Sequence, residues 1–382
     1  MMKRKMNLNK AVLIPDSFKG TLTSAEICNI ISGKIYEHFP MCSVISIPVA
    51  DGGEGSVDCF LSALGGEKIY ETVKSPYFED MKSFYGKIED TAIIEMAACA
   101  GLPLVEDRKN PSLTTTYGVG QLILAAAKNG CKKIIVGFGG SCTNDGGCGA
   151  ASAVGIKFYD KEGNEFIPVG KTLLNIQKID LSGKPEGLDN IEIITMCDID
   201  NPMYGPMGAA YIFAPQKGAD GEMVAALDKG LKNLCDVIKS ETGKDLKNIP
   251  GSGAAGAMGA GMIAFFNSTL QMGIETVLDM VKFDEIISGA DMIFTGEGKI
   301  DTQSLRGKVV IGVAKRAKNK NIPVTVIAGG ADMNIDEAYG MGVTSIFTIN
   351  RLPEDFQVSR KKSKENLEAS IDNILRLIKC IK

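Results

Sequence analysis

The sequence predicts an α/β protein with a discontinuous parallel-sheet domain, residues 1–70 plus 286–382, interrupted by an inserted α/β domain with a mixed sheet, residues 71–285. Two observations lead to this prediction. Short apolar runs alternate with amphipathic helical patterns at both ends of the chain, which is typical of βαβ units and a parallel sheet. Between these ends the apolar runs lie closer together and are joined by turns, which favours hairpins. A chain of 382 residues has room for both domains, because domains commonly hold about 100–200 residues.

The first strand of the parallel domain ends at the loop Pro15-Asp-Ser-Phe-Lys-Gly20. Thr23-Ser-Ala-Glu26 is then a capping-box pattern that predicts the start of a helix. A second strand at 44–49 ends in Ala50-Asp-Gly-Gly-Glu-Gly55, and a short helix is expected over 57–64. Both glycine-rich loops therefore follow parallel strands, at the edge where open α/β sheets bind ligands.

The later elements follow the same patterns. We predict strands at 68–73, 82–88, 91–96, 133–136, 192–195, 292–295, 323–328 and 345–349, and helices at 118–128, 222–238, 303–319 and 367–378. The uncharged segment 251–274 is too rich in glycine and polar residues for a bilayer span, so a buried helix or helix pair is expected there.

The loop Gly137-Phe-Gly-Gly-Ser-Cys-Thr-Asn-Asp-Gly-Gly-Cys-Gly149 connects one of these strands to a small-residue segment with helical character. A strand, a glycine loop and a helix in this order aim backbone N–H groups at one point, which suits a bound anion. Glycines such as Gly140 let the backbone approach a ligand closely. The alternative is a tight connection with no ligand. The polar side chains of the loop are Ser141, Thr143, Asn144 and Asp145.

Composition excludes several classes of function. The chain has 42 basic and 46 acidic residues, which argues against nucleic acid as a partner. Ten cysteines without a C-x-x-C pair favour free thiols in a reducing cytosol. No targeting or membrane segment is expected, so we predict a cytoplasmic protein. His38 is the sole histidine, which disfavours Ser–His–Asp hydrolysis and histidine zinc sites.

Several loops combine glycine or proline with carboxylates or lysines. Carboxylates can hold Mg²⁺, and lysines can neutralise phosphate oxygens, which is the set that phosphoryl transfer requires. For any single loop, a turn with a helix-capping aspartate is an equally good explanation; the recurrence at several strand ends favours a site. The groups are Asp16 and Lys19; Asp51 and Glu54; Asn144 and Asp145; Asp198, Asp200 and Asn201; Lys217; and Glu297, Lys299 and Asp301.

Two nucleotide-binding motifs constrain the class. The P-loop pattern G-x-x-x-x-G-K-[ST] does not occur in the sequence. Gly251-Ser-Gly-Ala-Ala-Gly256 matches the dinucleotide fingerprint G-x-G-x-x-G, but Ile249-Pro250 precedes it instead of a clear strand. An NAD-dependent oxidoreductase therefore stays an alternative, and close packing of a glycine- and alanine-rich helix is the better explanation.

With these motifs in place, the sequence resembles the bacterial glycerate kinases almost from end to end. The resemblance implies a Rossmann-like domain interrupted by a second domain, and a kinase that uses ATP and Mg²⁺ to phosphorylate D-glycerate. It also favours 2-phosphoglycerate over 3-phosphoglycerate as the product. The motifs that carry it, in order, are Pro15–Gly20, Ala50–Gly55, Gly139–Gly147, Cys197–Pro202, Pro215–Ala219, Pro250–Gly256 and Thr295–Asp301.

The sequence departs from the family pattern at four positions. Cys142 stands where alanine is usual, and Ser252 and Ala257 stand where alanine and glycine are usual. Lys299 replaces a frequent arginine, which keeps the charge but loses the planar fork. A thiol at Cys142 could make the site sensitive to thiol reagents, or burial could make it inert.

The position of each loop and the residue types it carries suggest roles for individual residues in such a kinase. Lys19 and Lys217 would neutralise phosphate or the glycerate carboxylate. Asp198 is the first candidate for general base or metal ligand, with Asp51 as a second metal ligand and both Asp51 and Asp301 as rivals for the base. The remaining residues expected to bind substrate or phosphate are Asp16, Ser17, Gly140, Ser141, Thr143, Asn144, Asp145 and Glu297.

The partners implied are D-glycerate and ATP, with a possible homodimer and without nucleic acid or a membrane. Two other classes stay open. One is the NAD-dependent oxidoreductase, and the other is a non-catalytic binding or regulatory protein for small acids, which would show no ATP turnover.

Overall fold

The computed structural model describes residues 7–49 and 53–380, so Asp51 lies outside the described residues. The chain divides into two compact units. Unit 1 comprises Met1–Asp51 and Met272–Lys382, and unit 2 comprises Gly52–Gln271.

The helices and strands of the described residues are numbered in chain order. The strands are β1 Lys10–Pro15, β2 Ser43–Ser46, β3 Glu67–Lys74, β4 Asp80–Ile88, β5 Thr91–Glu95, β6 Lys133–Gly137, β7 Lys157–Tyr159, β8 Glu165–Phe166, β9 Lys178–Asp180, β10 Glu192–Met196, β11 Thr269–Gln271, β12 Met292–Ile300, β13 Val324–Ala331 and β14 Ser345–Thr348. The α-helices are α1 Ser24–His38, α2 Ser56–Leu64, α3 Ala97–Ala100, α4 Tyr117–Lys128, α5 Cys148–Ala153, α6 Ala209–Phe213, α7 Gly221–Thr242, α8 Ala254–Phe266, α9 Gly273–Met280, α10 Phe283–Ile286, α11 Val309–Lys318, α12 Glu337–Gly340, α13 Phe356–Ser359 and α14 Ser363–Cys380.

Unit 1 contains a parallel sheet with strand order β2-β1-β12-β13-β14. Helices α1 and α14 pack together over one hydrophobic core of this sheet through residues such as Ile31 and Ile371. The capping box that opens α1 is confirmed, because Thr23 and Glu26 accept each other's backbone N–H groups. Central strands such as β1 are buried, which explains why they read as continuous apolar runs.

Unit 2 contains a mixed sheet with strand order β11-β10-β6-β5-β4-β3. Strands β3, β4 and β5 pair antiparallel, and β5, β6, β10 and β11 pair parallel. A small antiparallel sheet, β8-β7-β9, lies in the same unit. The predicted class, a Rossmann-like parallel-sheet fold interrupted by a mixed-sheet α/β region, is confirmed.

The division of the chain falls earlier than the predicted boundaries after residues 70 and 285. Helix α2 belongs to unit 2, although the sequence assigned it to the first βα pattern. Strand β3, predicted at 68–73 across the expected boundary, lies wholly in unit 2. Helix α2 packs on β4 and β5, and the buried Glu95 at the end of β5 accepts hydrogen bonds from Gly55 N and Val57 N at its start. These contacts are long-range, so a local pattern could not indicate them.

Two helix predictions needed correction. The segment 251–274 holds α8, then the short edge strand β11, and then the start of α9. The predicted helix 303–319 begins as a 3-10 turn and is interrupted at Gly307, where φ is 103°. Within the described ranges, no helix combines the length and the apolar character needed to cross a membrane.

Candidate active site

The carboxyl edge of the unit 1 sheet brings Asp16, Ser17 and Glu297 together. Asp16 and Ser17 follow β1, and Glu297 lies in β12, the strand beside it. The strand order is that of a doubly wound sheet whose topological switch point lies between β1 and β12. Ligands of open α/β sheets bind outside the carboxyl ends of the strands at this point.

Glycines near the carboxyl ends of β12 and β13 let these neighbouring strands approach each other closely. An added Cβ at Gly296 would lie 1.9 Å from Ile327 O, and one at Gly329 would lie 2.4 Å from Gly298 O. The Gly296 carbonyl accepts a hydrogen bond from Asp16 N at 2.8 Å, which joins β12 to the residue that follows β1. Glycine is therefore required at positions 296 and 329, because a side chain at either position would clash with the backbone of the neighbouring strand.

Glu297 is a buried carboxylate without full hydrogen bonding. Its side chain is 7% exposed, and Oε1 has no partner among the described residues. Burial raises the pKa of Glu297 to about 7; a hydrogen bond from Ser304 opposes this rise, whereas the charge of Asp16 adds to it. A cation placed beside Oε1 would supply the missing partner and favour the ionised form.

Other charged residues at this edge have local partners. Asp301 Oδ1 accepts hydrogen bonds from Gln303 N at 2.8 Å and Ser304 N at 3.2 Å, so it caps the following turn. Lys299 pairs with Asp332 at 2.9 Å on the surface. Lys19 lies in the loop that follows β1, and its side chain is exposed.

A metal ion would have a small set of protein donors here. Across the described residues, no group of three or more histidine, cysteine, aspartate or glutamate side chains could hold a metal. Mg²⁺, however, commonly takes one or two carboxylates together with waters and substrate phosphates. The pair Asp16 and Glu297 fits that requirement, and the unpartnered Oε1 of Glu297 is the observation that favours it.

In unit 2 the glycine loop lies between β6 and α5, and its own Asp145 occupies the N–H groups that the sequence assigned to an anion. Asp145 is fully buried and accepts hydrogen bonds from Gly147 N at 3.1 Å and Gly149 N at 3.2 Å. It also accepts from Thr116 N at 2.7 Å and from the Thr116 hydroxyl at 2.9 Å. Burial raises the pKa of Asp145, and these hydrogen bonds oppose the rise. The Asp145 carboxylate thus holds the glycine loop against the start of α4, which favours a role for Asp145 in positioning the loop.

Lys217 follows α6 and extends into the glycine loop. It is 2% exposed, and its Nζ donates to Ser141 Oγ at 2.9 Å and to Thr143 O at 2.7 Å. Burial lowers the pKa of Lys217 to about 8, with the nearby Cys142 and Asp145 opposing the shift. The structure therefore brings together residues from two motifs that the sequence singled out, Ser141 and Thr143 of the glycine loop and Lys217.

Two loop residues beside this lysine carry unsatisfied polar atoms. Thr143 and Asn144 are fully buried, and Thr143 Oγ1 and both side-chain polar atoms of Asn144 have no hydrogen-bond partner in the described part of the chain. Gly140 lies earlier in the loop, exposed, with φ 74°. Asp198 is half-buried directly after β10, the strand that pairs with β6.

The turn at 251–257 explains the weak dinucleotide match. Ala255, Gly256 and Ala257 all have left-handed backbone, with φ 54°, 70° and 64°. An added Cβ at Gly256 would lie 2.0 Å from Thr143 O, so the glycine is required by packing against the glycine loop. The element directly before this turn is helix α7, where the dinucleotide motif requires a strand, and the structure therefore does not support dinucleotide binding at this motif.

Sequence reasoning missed Glu95, Thr116 and Ser304. Glu95 interrupts an apolar run, and a lone carboxylate in such a run signals a buried, paired group. The run Thr114-Thr115-Thr116 before α4 was a similar signal, because adjacent hydroxyl residues cap or clamp neighbouring loops. Ser304 had no local signal, since its contact with Glu297 depends on the turn geometry.

The structure is that of an α/β protein with a buried carboxylate at a switch point, which suits a cation, and a buried lysine in a glycine loop, which suits an anion. The sequence model of the glycerate kinase family matches residues 11–379. The chain is 44% identical to the glycerate kinase of Bacillus cereus, over 96% of this chain and 97% of the relative. It is 41% identical to the glycerate 2-kinase of Escherichia coli, over 89% of this chain and 90% of the relative.

A solved structure agrees with these matches. The crystal structure of a protein from Salmonella typhimurium LT2, described as a glycerate kinase 2, matches with a TM-score of 0.86 at 37% identity. The match covers 98% of this chain and 99% of that chain. The chain belongs to the glycerate kinase family.

Proposed function

We propose that this protein is a cytoplasmic kinase that transfers the γ-phosphoryl group of ATP to a hydroxyl of D-glycerate in the presence of Mg²⁺. Membership of the glycerate kinase family supports the acceptor. The Escherichia coli relative named glycerate 2-kinase supports 2-phosphoglycerate as the product. All ten cysteines are free thiols, which is consistent with a reducing compartment.

The observation that carries the nucleotide half of this proposal is the pair of Asp16 and Glu297 at the switch point of unit 1. Asp16 and Glu297 would hold Mg²⁺, which supplies charge neutralisation for the phosphate oxygens of a bound nucleotide. Lys19, in the loop after β1, and Lys308, whose charge opposes the rise in the pKa of Glu297, add positive charge at the same edge. Two carboxylates alone would repel a polyphosphate, so this arrangement favours a metal-bound nucleotide over a bare anion.

A cavity in unit 1 offers room for the rest of a nucleotide. It has a volume of about 340 Å³ and lies at the carboxyl end of β14, where Asn350 donates to Gly329 O at 2.6 Å. Strand β14 lies two positions from β12 in the unit 1 sheet. Its lining residues are Asn350, Arg351, Leu352, Glu354, Ser359, Lys362 and Asn366.

Asp198 is our candidate for the general base that accepts the proton of the attacking hydroxyl. It is half-buried at the carboxyl edge of the unit 2 sheet, beside the glycine loop. We expect Asp198→Asn to lower kcat by about 100-fold or more, because general-base catalysis commonly contributes that much. An unchanged Mg²⁺ requirement would support the base role, whereas a higher Mg²⁺ requirement would support Asp198 as a metal ligand. A near-normal kcat with unchanged metal dependence would remove Asp198 from both roles.

The deciding experiment is a coupled assay of ADP release from ATP and Mg²⁺ with D-glycerate, L-glycerate and D-lactate as acceptors. We expect turnover with D-glycerate, loss of turnover with EDTA, and recovery with added Mg²⁺. Phosphorus NMR of the product separates 2-phosphoglycerate from 3-phosphoglycerate. Binding of D-glycerate without any ADP release would support a non-catalytic binding protein instead, and light scattering of the same sample tests the proposed homodimer.

A further inference from the structure

Thr143 and Asn144 keep polar atoms that the protein itself does not satisfy. Thr143 Oγ1 and Asn144 Oδ1 and Nδ2 are buried without a hydrogen-bond partner among the residues described. Native proteins satisfy the great majority of such atoms, because an unmade buried hydrogen bond costs stability. Exceptions are expected where a ligand completes the set.

A buried cation lies next to these atoms. Lys217 Nζ has three N–H donors, and two of them are used by neutral oxygens, Ser141 Oγ and Thr143 O. The nearest carboxylate of the loop, Asp145, is instead bound by Thr116, Gly147 and Gly149. One N–H donor of Lys217 is thus left for an anion. The Asn144 amide and the Thr143 hydroxyl lie in the glycine loop that this lysine contacts.

The donor and acceptor types decide which anion fits. An amide presents both a donor and an acceptor end, whichever way it is oriented, and a threonine hydroxyl can do both. A nucleotide polyphosphate offers acceptors only and carries several negative charges, so it would leave the amide oxygen unpaired and would repel Asp145. A small hydroxy acid offers one carboxylate for the lysine and hydroxyl groups that both donate and accept.

We propose that Lys217, Thr143 and Asn144 bind the acceptor substrate in unit 2, with the carboxylate on Lys217 Nζ and a hydroxyl on the Asn144 amide. This inference rests on the proposed function and deepens it, because it assigns the hydroxy acid to unit 2 and leaves the metal nucleotide to unit 1.

The test uses substitutions that remove polarity and keep shape. Asn144→Leu and Thr143→Val in the full-length protein are expected to keep or raise the melting temperature, because each removes an unsatisfied buried group. Both are expected to weaken D-glycerate binding, measured by calorimetry without nucleotide, by about 30-fold or more. The KM for D-glycerate should rise by a similar factor while the KM for ATP stays within about twofold of the wild type.

Ser152→Ala is the matched control. Ser152 Oγ is also buried without a partner in the described residues, but it lies near the end of α5 and outside the glycine loop that Lys217 contacts. Its removal should leave D-glycerate binding unchanged. Unchanged binding in Asn144→Leu and Thr143→Val as well would overturn the proposal and mark the loop atoms as structural or as partners of an internal water.

The outcomes separate this inference from the proposed function. A wild-type protein that binds D-glycerate but does not release ADP would refute the kinase and leave the acceptor site standing. A rise in the KM for ATP alone would move the nucleotide to the glycine loop and refute the site. If Asn144→Leu does not fold, Thr143→Val decides the question by itself, because valine has nearly the same shape as threonine.

Discussion

Lys217 makes D-glycerate binding depend on pH in a window that the structure defines. Burial lowers the pKa of Lys217 to about 8, so the amine loses its charge as the pH rises above that value. Above the pKa, the KM for D-glycerate should rise by about tenfold for each pH unit, because only the protonated lysine attracts the carboxylate. The groups that face Lys217 do not reverse this, since the thiol of Cys142 has a pKa of about 12 and Asp145 keeps its partners.

The stability of the fold should rise as Lys217 loses its proton, whereas D-glycerate binding should weaken. A lysine whose pKa is lowered on folding opposes folding fully below about pH 8. This penalty fades as the pH rises from there toward the ordinary lysine pKa of about 10.4. The difference in unfolding free energy between the wild type and Lys217→Met, measured at several pH values, gives this penalty. A difference that does not change between pH 7 and 10 would contradict the lowered pKa.

Cys142 should be inert toward thiol reagents. It is 1% exposed, and burial raises the pKa of its thiol to about 12, so very little reactive thiolate exists near neutral pH. Iodoacetamide at pH 7.5 is expected to label the exposed Cys380 first and to leave Cys142 intact, as read by peptide mass spectrometry. Rapid labelling of Cys142 with loss of activity would show that the loop opens far more often than this structure indicates.

At the scale of elements, the left-handed turn at 255–257, within the first residues of α8, positions the glycine loop. Gly256 in this turn has left-handed backbone, and an added Cβ would meet Thr143 O at 2.0 Å and the Asn144 Cα at 2.6 Å. We expect Gly256→Ala to lower the unfolding free energy by about 2–4 kcal/mol, from the left-handed strain and the overpacking together. D-glycerate affinity should fall with it, because the displaced atoms belong to the proposed acceptor site.

Gly221→Ala is the control for this substitution. Gly221 begins α7 and has open space around its Cβ position, so alanine there should be neutral or stabilising by up to about 1 kcal/mol. Denaturant unfolding of both variants checks the pair. A Gly256→Ala protein as stable as the wild type would show that the turn yields easily and does not hold the loop in place.

The same turn shows where sequence reasoning succeeds and where it ends. Local patterns predicted α1, α4 and β6 because each depends on periodicity or a cap that neighbouring residues supply. They could not predict that Asp145 would take the N–H groups of its own loop, since that depends on Thr116 from another segment. Propensity also disfavoured the left-handed backbone of Ala255 and Ala257, because alanine rarely adopts positive φ.

At the scale of the whole molecule, the two units have separate cores and different site chemistry. The core of unit 1 is built from residues on both sides of the insertion, whereas the core of unit 2 comes from one continuous segment. The interruption was predictable because βα patterns occur at both ends of the chain. Its position was not, because α2 belongs to unit 2 through Glu95 and not through its place in the sequence.

A fragment that spans residues 53–271 should therefore fold without the rest of the chain. It contains every strand of the mixed sheet and the whole of one hydrophobic core. We expect a cooperative thermal transition with equal calorimetric and van't Hoff enthalpies, and measurable D-glycerate binding that Asn144→Leu abolishes. A fragment that binds hydrophobic dyes and melts gradually would show that unit 2 needs unit 1 to fold. A well-folded fragment without D-glycerate affinity would instead mean that the acceptor site requires residues outside 53–271, since Lys217, Thr143 and Asn144 are all present in it.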